Sequence, residues 1–172
     1  SDREKRLTAF HEGGHALVGM LLPNADPVHK VTIIPRGRAG GYTLMLPKED
    51  RSYATRSELM DKLKTLLGGR VAEEVVLKEI STGAQSDIQR ASQLVRSMIT
   101  QYGMSDKFGM VALGQQRNRY LGGGAELTCS EGTAQQIDAE VQRLVEEGHQ
   151  QAIDTLKAHR FKLHEIAHYL QK

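Results

Sequence analysis

Two adjacent glycines, Gly13 and Gly14, stand inside a run whose apolar positions Leu7, Phe10, Leu17, Val18 and Leu21 recur at steps of three and four. That spacing is the period of an amphipathic helix, and Pro23 stops it, so a helix is predicted from about Asp2 to Leu22. Each glycine weakens a helix interior by up to about 1 kcal/mol relative to alanine. A helix that keeps two of them in succession is expected to bring another backbone or a ligand close to its surface at that point.

The glycines are enclosed by His11, Glu12 and His15, which together spell an HExxH pattern. Residues four apart lie one turn above each other on a helix, so His11 and His15 can direct two imidazoles at one ion, and neutral imidazole nitrogens suit zinc. Glu12 projects about 100° around the helix from His11, which lets its carboxylate reach a metal-bound water as a general base without binding the metal. A catalytic zinc site normally keeps three protein ligands and one open position, so a third His, Asp or Glu has to come from elsewhere in the chain.

The pattern is short, and two histidines with a glutamate on the surface of an amphipathic helix spell it equally well. A second copy, His164-Glu165-Ile166-Ala167-His168, stands four residues from the end of the chain. It carries Ile166 and Ala167 where the first copy has glycines, and chain ends fray, so it reads as ordinary amphipathic packing.

The remaining segments are expected to be mostly helical. Val28 to Pro35 and Tyr42 to Pro47 are β-branched or aromatic-rich runs on either side of the Arg/Gly stretch Arg36 to Gly41, the pattern of a small antiparallel hairpin. A second helix starts at Thr55 or Ser57, carries Leu59, Leu63, Leu66, Leu67 and Val71 on one face, and ends near Leu77; Gly68-Gly69 inside it marks close packing. A third runs from about Ser86 to Tyr102, with Asp87 in its first turn and Gly103 as its cap. Residues 109–124, rich in Gly, Gln, Asn and Arg, show neither period and read as a flexible surface loop. Thr128-Cys129-Ser130-Glu131 has the form of a capping box before a long helix, and a short helix from about Phe161 to Leu170 closes the chain. The expected fold is mainly α, a single domain over residues 1–172 with a small β-hairpin; residues 1–108 would be its catalytic part and 125–172 its C-terminal helices.

Composition removes several other classes. Hydrophobic residues at 39% and charged residues at 26% are those of a globular protein. The 23 basic and 21 acidic residues leave a charge of +2 without a basic stripe, and Arg36-Gly37-Arg38 reads as a solvated loop, so no nucleic acid partner is expected. Cys129 is the single cysteine, which excludes an internal disulfide and a CxxC zinc site and fits a reducing compartment. No apolar run approaches the roughly 20 residues of a membrane span, and Ser1 to Arg6 lacks a signal peptide's apolar core, so the chain as written is expected to be soluble. A G-x-x-x-x-G-K-[ST] phosphate loop is absent, so ATP and magnesium have no expected site here.

Thr8-Ala9-Phe10-His11-Glu12-Gly13-Gly14-His15-Ala16-Leu17-Val18, followed by Leu22 to Val28, resembles the peptidase domain of the FtsH family of AAA+ proteases. Val31 to Gly37, Leu66 to Glu74, Ser81 to Asp87 and Tyr102 to Ser105 resemble further blocks of that family, in the same order over about 110 residues. Gly13, where alanine is usual, and Ser86, where asparagine often precedes the aspartate, depart from its commonest pattern and remove no ligand.

The resemblance implies a mostly helical peptidase with one zinc per chain and Asp87 as the third ligand. Without it, Asp87 reads better as a helix-start acid favoured by the macrodipole at about 0.3–1 kcal/mol than as a ligand. It implies further a homo-hexameric, ATP-dependent protease of unfolded or membrane proteins, with an AAA+ module elsewhere in the same chain. Membrane anchoring would come from N-terminal segments, and the peptidase would face the cytoplasm at a bacterial inner membrane or lie at an organelle inner membrane. The Val28 to Ile34 run, through Val31, Thr32, Ile33 and Ile34, is expected to form an exposed edge to which an extended polypeptide substrate adds as another strand, the alternative being an edge covered by its own hairpin partner. Glu73 and Glu74 are candidates for orienting the zinc histidines. His29, His149 and His159 receive no role. The competing reading is a non-catalytic oligomerisation module of an AAA+ assembly, in which the HExxH pattern is vestigial.

Overall fold

Ser1 caps the first helix, its hydroxyl accepting the Glu4 N–H at 3.3 Å, and the helix, α1, runs from Asp2 to Leu21 in this computed structural model. The structure describes residues 1–37, 40–49, 52–116 and 125–172. After α1 come β1 (Val28–Thr32), β2 (Tyr42–Met45), α2 (Arg56–Ala72), α3 (Gln85–Thr100), β3 (Gly114–Gln116), β4 (Ala125–Leu127), α4 (Glu131–Ala158) and α5 (Arg160–Leu170). The chain is mainly helical with a small antiparallel hairpin, β1–β2, as its periodicity predicts, and a second hairpin, β3–β4, that it does not. Among the described residues no helix is long and apolar enough to cross a membrane.

The helices pack around α1. Leu17 of α1, Leu63 of α2, Met98 of α3, Ile137, Leu144 and Leu156 of α4, and Leu163 of α5 are each less than 2% exposed, so every helix contributes to one core. Full burial of such side chains stabilises by about 1.5–3 kcal/mol each. The crossing of α1 and α2 is set by Gly14 and Gly68. A Cβ at Gly14 would lie 2.3 Å from the Gly68 carbonyl oxygen and 2.6 Å from the Ala72 Cβ. This is the close backbone approach that paired glycines in a helix predict. On the other side of α1, Gly13 faces Ile166, Leu163 and Ala167 of α5.

Thr55 caps α2 by accepting the Glu58 N–H, and α2 continues without a break into a widened π turn, Glu73–Leu77, ended by Lys78 at a φ of +57°. A short 3-10 turn, Thr82–Ala84, then leads into α3. Gly103, at a φ of +61°, takes the chain out of α3 as expected of a helix-ending glycine.

Three expectations need correction. The capping residue of α4 is Ser130, whose hydroxyl accepts the Thr133 N–H at 3.2 Å; Thr128 is instead held by the second hairpin, its N–H donating to the Leu113 carbonyl at 3.0 Å. The stretch 109–124 contains a strand, β3, because Gly114 to Gln116 find an antiparallel partner in Ala125 to Leu127; three residues are too few to show a period. Residues 117–124 of that expected loop, like Arg38 and Ala39 of the first hairpin's connection, lie outside the described residues. Finally, β1 stops at Thr32, because the Thr32 hydroxyl takes the Ile34 N–H at 3.1 Å and Pro35 has none to offer, so Ile33 and Ile34 lie beyond the strand.

Candidate metal centre

His11 and His15 project from the same face of α1 into the crossing with α2, and each is 8% exposed. Their rings rest on Gly69. A Cβ at that position would lie 2.6 Å from both Nε2 atoms, so only a glycine leaves them room. Gly68 and Gly69 therefore do separate work, the first admitting the α1 backbone and the second the imidazoles.

Each ring is oriented through its Nδ1. His15 Nδ1 lies 2.7 Å from the Thr65 carbonyl oxygen. A carbonyl only accepts, so the proton sits on Nδ1 and the Nε2 of the neutral ring presents a lone pair. His11 Nδ1 lies 2.7 Å from Glu73 Oε2, and the other carboxylate oxygen, Oε1, accepts the Ser81 N–H at 2.9 Å. Glu73 is fully buried at the start of the π turn, and these bonds give both its oxygens a donor.

Asp87, in the first turn of α3, completes the group. Its Oδ2 lies 3.2 Å from His11 Nε2 and 3.1 Å from His15 Nε2, and the two Nε2 atoms are 3.2 Å apart. The segment that delivers it is tied to α2 through Ser81, whose N–H goes to Glu73 and whose carbonyl accepts Arg70 Nη2 at 3.0 Å. Among the described residues, His11, His15 and Asp87 are a set whose ligand atoms lie close enough to share one ion.

This triangle fits zinc. A tetrahedron with bonds of about 2.0–2.1 Å has edges of roughly 3.4 Å, close to all three separations. Two imidazole nitrogens and one carboxylate oxygen are a zinc donor set, and two lone pairs facing one another across such a gap repel unless a proton or a cation stands between them. The electrostatics favour positive charge there. Burial would lower the His11 pKa, but its hydrogen bonds to Asp87 and Glu73 outweigh that and hold it up at about 9. Burial would likewise raise the Asp87 and Glu73 carboxyls, yet the histidine bonds to Asp87 keep it well below the usual carboxylate range, and those from His11 and Ser81 lower Glu73.

Glu12 is 7% exposed. The Thr43 hydroxyl of β2 stands 3.2 Å from Glu12 Oε1 and 3.1 Å from the carbonyl oxygen of the same residue.

The C-terminal copy of the motif does not converge on anything comparable. The His164 ring lies edge-on to Phe10 with centroids 5.2 Å apart, exposed Glu165 pairs with Lys162 at 3.6 Å, and His168 is exposed. The buried residues of α5, Leu163 and Ala167, form the face that packs on α1. Of the two acids considered for orienting the histidines, Glu73 takes that position, whereas Glu74 turns outward to His149 Nε2 at 2.9 Å. Thr65 acts through its backbone, and Thr43 comes from a strand, so neither carries a signal in the motif itself.

A family model described as Peptidase family M41 matches residues 1–172. The chain belongs to peptidase family M41. An ATP-dependent zinc metalloprotease FtsH of Lancefieldella parvula is 57% identical over 173 residues, covering 100% of this chain and 27% of that protein. Proteins of the same description from Bacillus subtilis and a Thermoanaerobacter species are 47% and 51% identical, across 100% and 97% of this chain and 28% of each relative. This M41 chain thus spans about a quarter of the length of the curated relatives it matches.

Proposed function

We propose that this M41 chain is a zinc-dependent endopeptidase in which His11, His15 and Asp87 hold one zinc and Glu12 is the general base. The observation that carries the reading is the triangle of His11 Nε2, His15 Nε2 and Asp87 Oδ2, with sides of 3.1–3.2 Å and both histidine tautomers set from behind. Zinc, when bound, would polarise the scissile carbonyl and acidify a water at its open position. Glu12 takes a proton from the attacking water and returns it to the departing amine nitrogen as the peptide bond breaks. Glu73 and the Thr65 carbonyl hold the Nδ1 protons of His11 and His15, which keeps both Nε2 lone pairs directed at the ion.

The ATP dependence of the relatives named above, and the chain's span of about a quarter of their length, support a larger ATP-dependent protein around this domain. In that reading residues 1–172 are one peptidase domain joined to an AAA+ module that uses ATP and magnesium. The whole forms a homo-hexamer, anchored in a bacterial inner membrane by other segments with the peptidase on the cytoplasmic side, and degrades unfolded or membrane proteins. An extended substrate adds to the edge of β1 at Val31 and Thr32, with Ile33 and Ile34 just past its end, because β2 pairs with the opposite edge. Unchanged cleavage in a Thr32→Pro variant would remove β1 from substrate capture.

The deciding experiment is zinc per chain by elemental analysis in the wild type, His15→Ala and His168→Ala, followed by casein hydrolysis with Glu12→Gln. Zinc lost only with His15→Ala and hydrolysis lost with Glu12→Gln are expected. Wild-type protein that holds no zinc would favour a non-catalytic assembly module, whereas full activity in Glu12→Gln would overturn Glu12 as the base.

A further inference from the structure

The carboxylate read here as the general base is nearly buried, and its hydrogen-bonding is narrow. Among the described residues the Thr43 hydroxyl is the donor to Glu12 Oε1, at 3.2 Å. The same hydroxyl lies 3.1 Å from the Glu12 main-chain carbonyl oxygen. That carbonyl belongs to the interior of α1 and is fixed by the helix, and the single hydroxyl proton is shared between it and the carboxylate, so Thr43 ties the carboxylate to the helix backbone. Threonine adds stiffness of its own, since its branched Cβ restricts χ1, and pairing with Val31 across the hairpin fixes its backbone.

From this geometry we propose that Thr43 is a positioning residue for the peptidase reaction, holding the Glu12 carboxylate in the orientation required for proton transfer. The inference rests on the reading of Glu12 as the base. A glutamate side chain has three rotatable bonds, and a proton acceptor is effective only within hydrogen-bond reach of the proton it takes. Misplacement by about 1 Å costs on the order of 100-fold in rate. A single hydroxyl, tethered to the backbone of the residue it orients, removes much of that freedom. It also ties the first hairpin to the catalytic helix, so the strand beside the proposed substrate edge sets the aim of the base.

The test uses the full-length protein with ATP and a fluorescently labelled unfolded casein, and measures zinc content, kcat and KM for Thr43→Val, Thr43→Ser, Glu12→Gln and the Glu12→Gln/Thr43→Val double variant. Thr43→Val is expected to keep its zinc and a KM within about twofold while kcat falls about 10- to 100-fold. Thr43→Ser, which restores the hydroxyl, should return kcat to within about threefold of wild type. In the Glu12→Gln background, Thr43→Val should have no further effect. Thr43→Ala gives the same reading if Thr43→Val fails to fold. Wild-type kcat in Thr43→Val alongside an inactive Glu12→Gln would overturn the role of Thr43 alone, as would a Thr43→Ser variant no better than Thr43→Val. Full activity in Glu12→Gln would instead overturn the assignment of the base itself.

Discussion

His15 Nδ1 lies 2.7 Å from the carbonyl oxygen of Thr65, and that contact decides which nitrogen of His15 faces Asp87. The carbonyl stands on α2 because Gly14 and Gly68 let the two helix backbones meet. The same approach places Gly69 beneath both rings. Replacing Gly69 by alanine puts a Cβ 2.6 Å from each Nε2, so at least one ring must leave the triangle. Gly69→Ala is expected to lower zinc affinity by tenfold or more, as measured by competition with a chromophoric chelator. Unchanged affinity would show that the rings shift without losing the site.

The two glycines of the motif should respond in opposite ways. At Gly14 an alanine Cβ meets the Gly68 carbonyl oxygen at 2.3 Å, whereas at Gly13 the nearest atom is Ile166 Cγ2 at 3.4 Å. Gly14→Ala should destabilise by about 1–3 kcal/mol or more through overpacking. Gly13→Ala should be neutral or stabilising by up to about 1 kcal/mol, because alanine favours the helix. Thermal unfolding of the two variants side by side separates these outcomes.

Glu73 has two donors to satisfy, His11 Nδ1 and the Ser81 N–H. A glutamine there has one acceptor oxygen and sets its NH2 against the other donor. Glu73→Gln is expected to weaken zinc binding about 10- to 100-fold. Glu74→Gln should leave zinc binding unchanged, because Glu74 pairs with His149. Equal losses in the two variants, by chelator competition, would contradict the geometry.

Acidity should act in opposite directions on the metal-free fold and on metal uptake. His11 is raised from 6.5 to about 9, so its contribution to the metal-free fold is complete below pH 6.5 and lost as pH rises through about 9. Asp87 is lowered from 3.8, so its contribution is present above that pH and lost as pH falls below it. Metal-free protein should therefore be most stable between about pH 4 and 6.5 as far as these groups decide it. Zinc has to displace the His11 proton, so its apparent affinity should rise by up to about tenfold per pH unit toward pH 9. Denaturant melts of the metal-free protein and calorimetry in buffers of different ionisation enthalpy check the two signs.

The helices were legible in the sequence because helical periodicity and capping are local. Leu59, Leu63, Leu66 and Leu67 announce α2, Thr55 its start, and Gly103 the exit from α3. The glycine pairs announced close packing, since a helix tolerates them only where something comes near. Local rules misplaced what depends on a distant partner. Ser130 rather than Thr128 caps α4, because Thr128 is bound to Leu113; β3 exists because of β4; and β1 ends early through a side-chain bond at Thr32.

The motif itself was written twice, at His11 to His15 and at His164 to His168. Spacing alone puts two histidines on one helical face in both copies, so the sequence by itself determined the candidates and their helices, and the family resemblance selected the first copy and Asp87. The tertiary structure decided what surrounds each copy. The first meets a helix close enough to offer the Thr65 carbonyl, Glu73 and room above Gly69, together with Asp87 from more than 70 residues away. The histidines of the second meet Phe10 and solvent. Periodicity fixes which residues share a face, but a metal site requires donors from separate elements to converge within a few ångströms, and only packing brings them there.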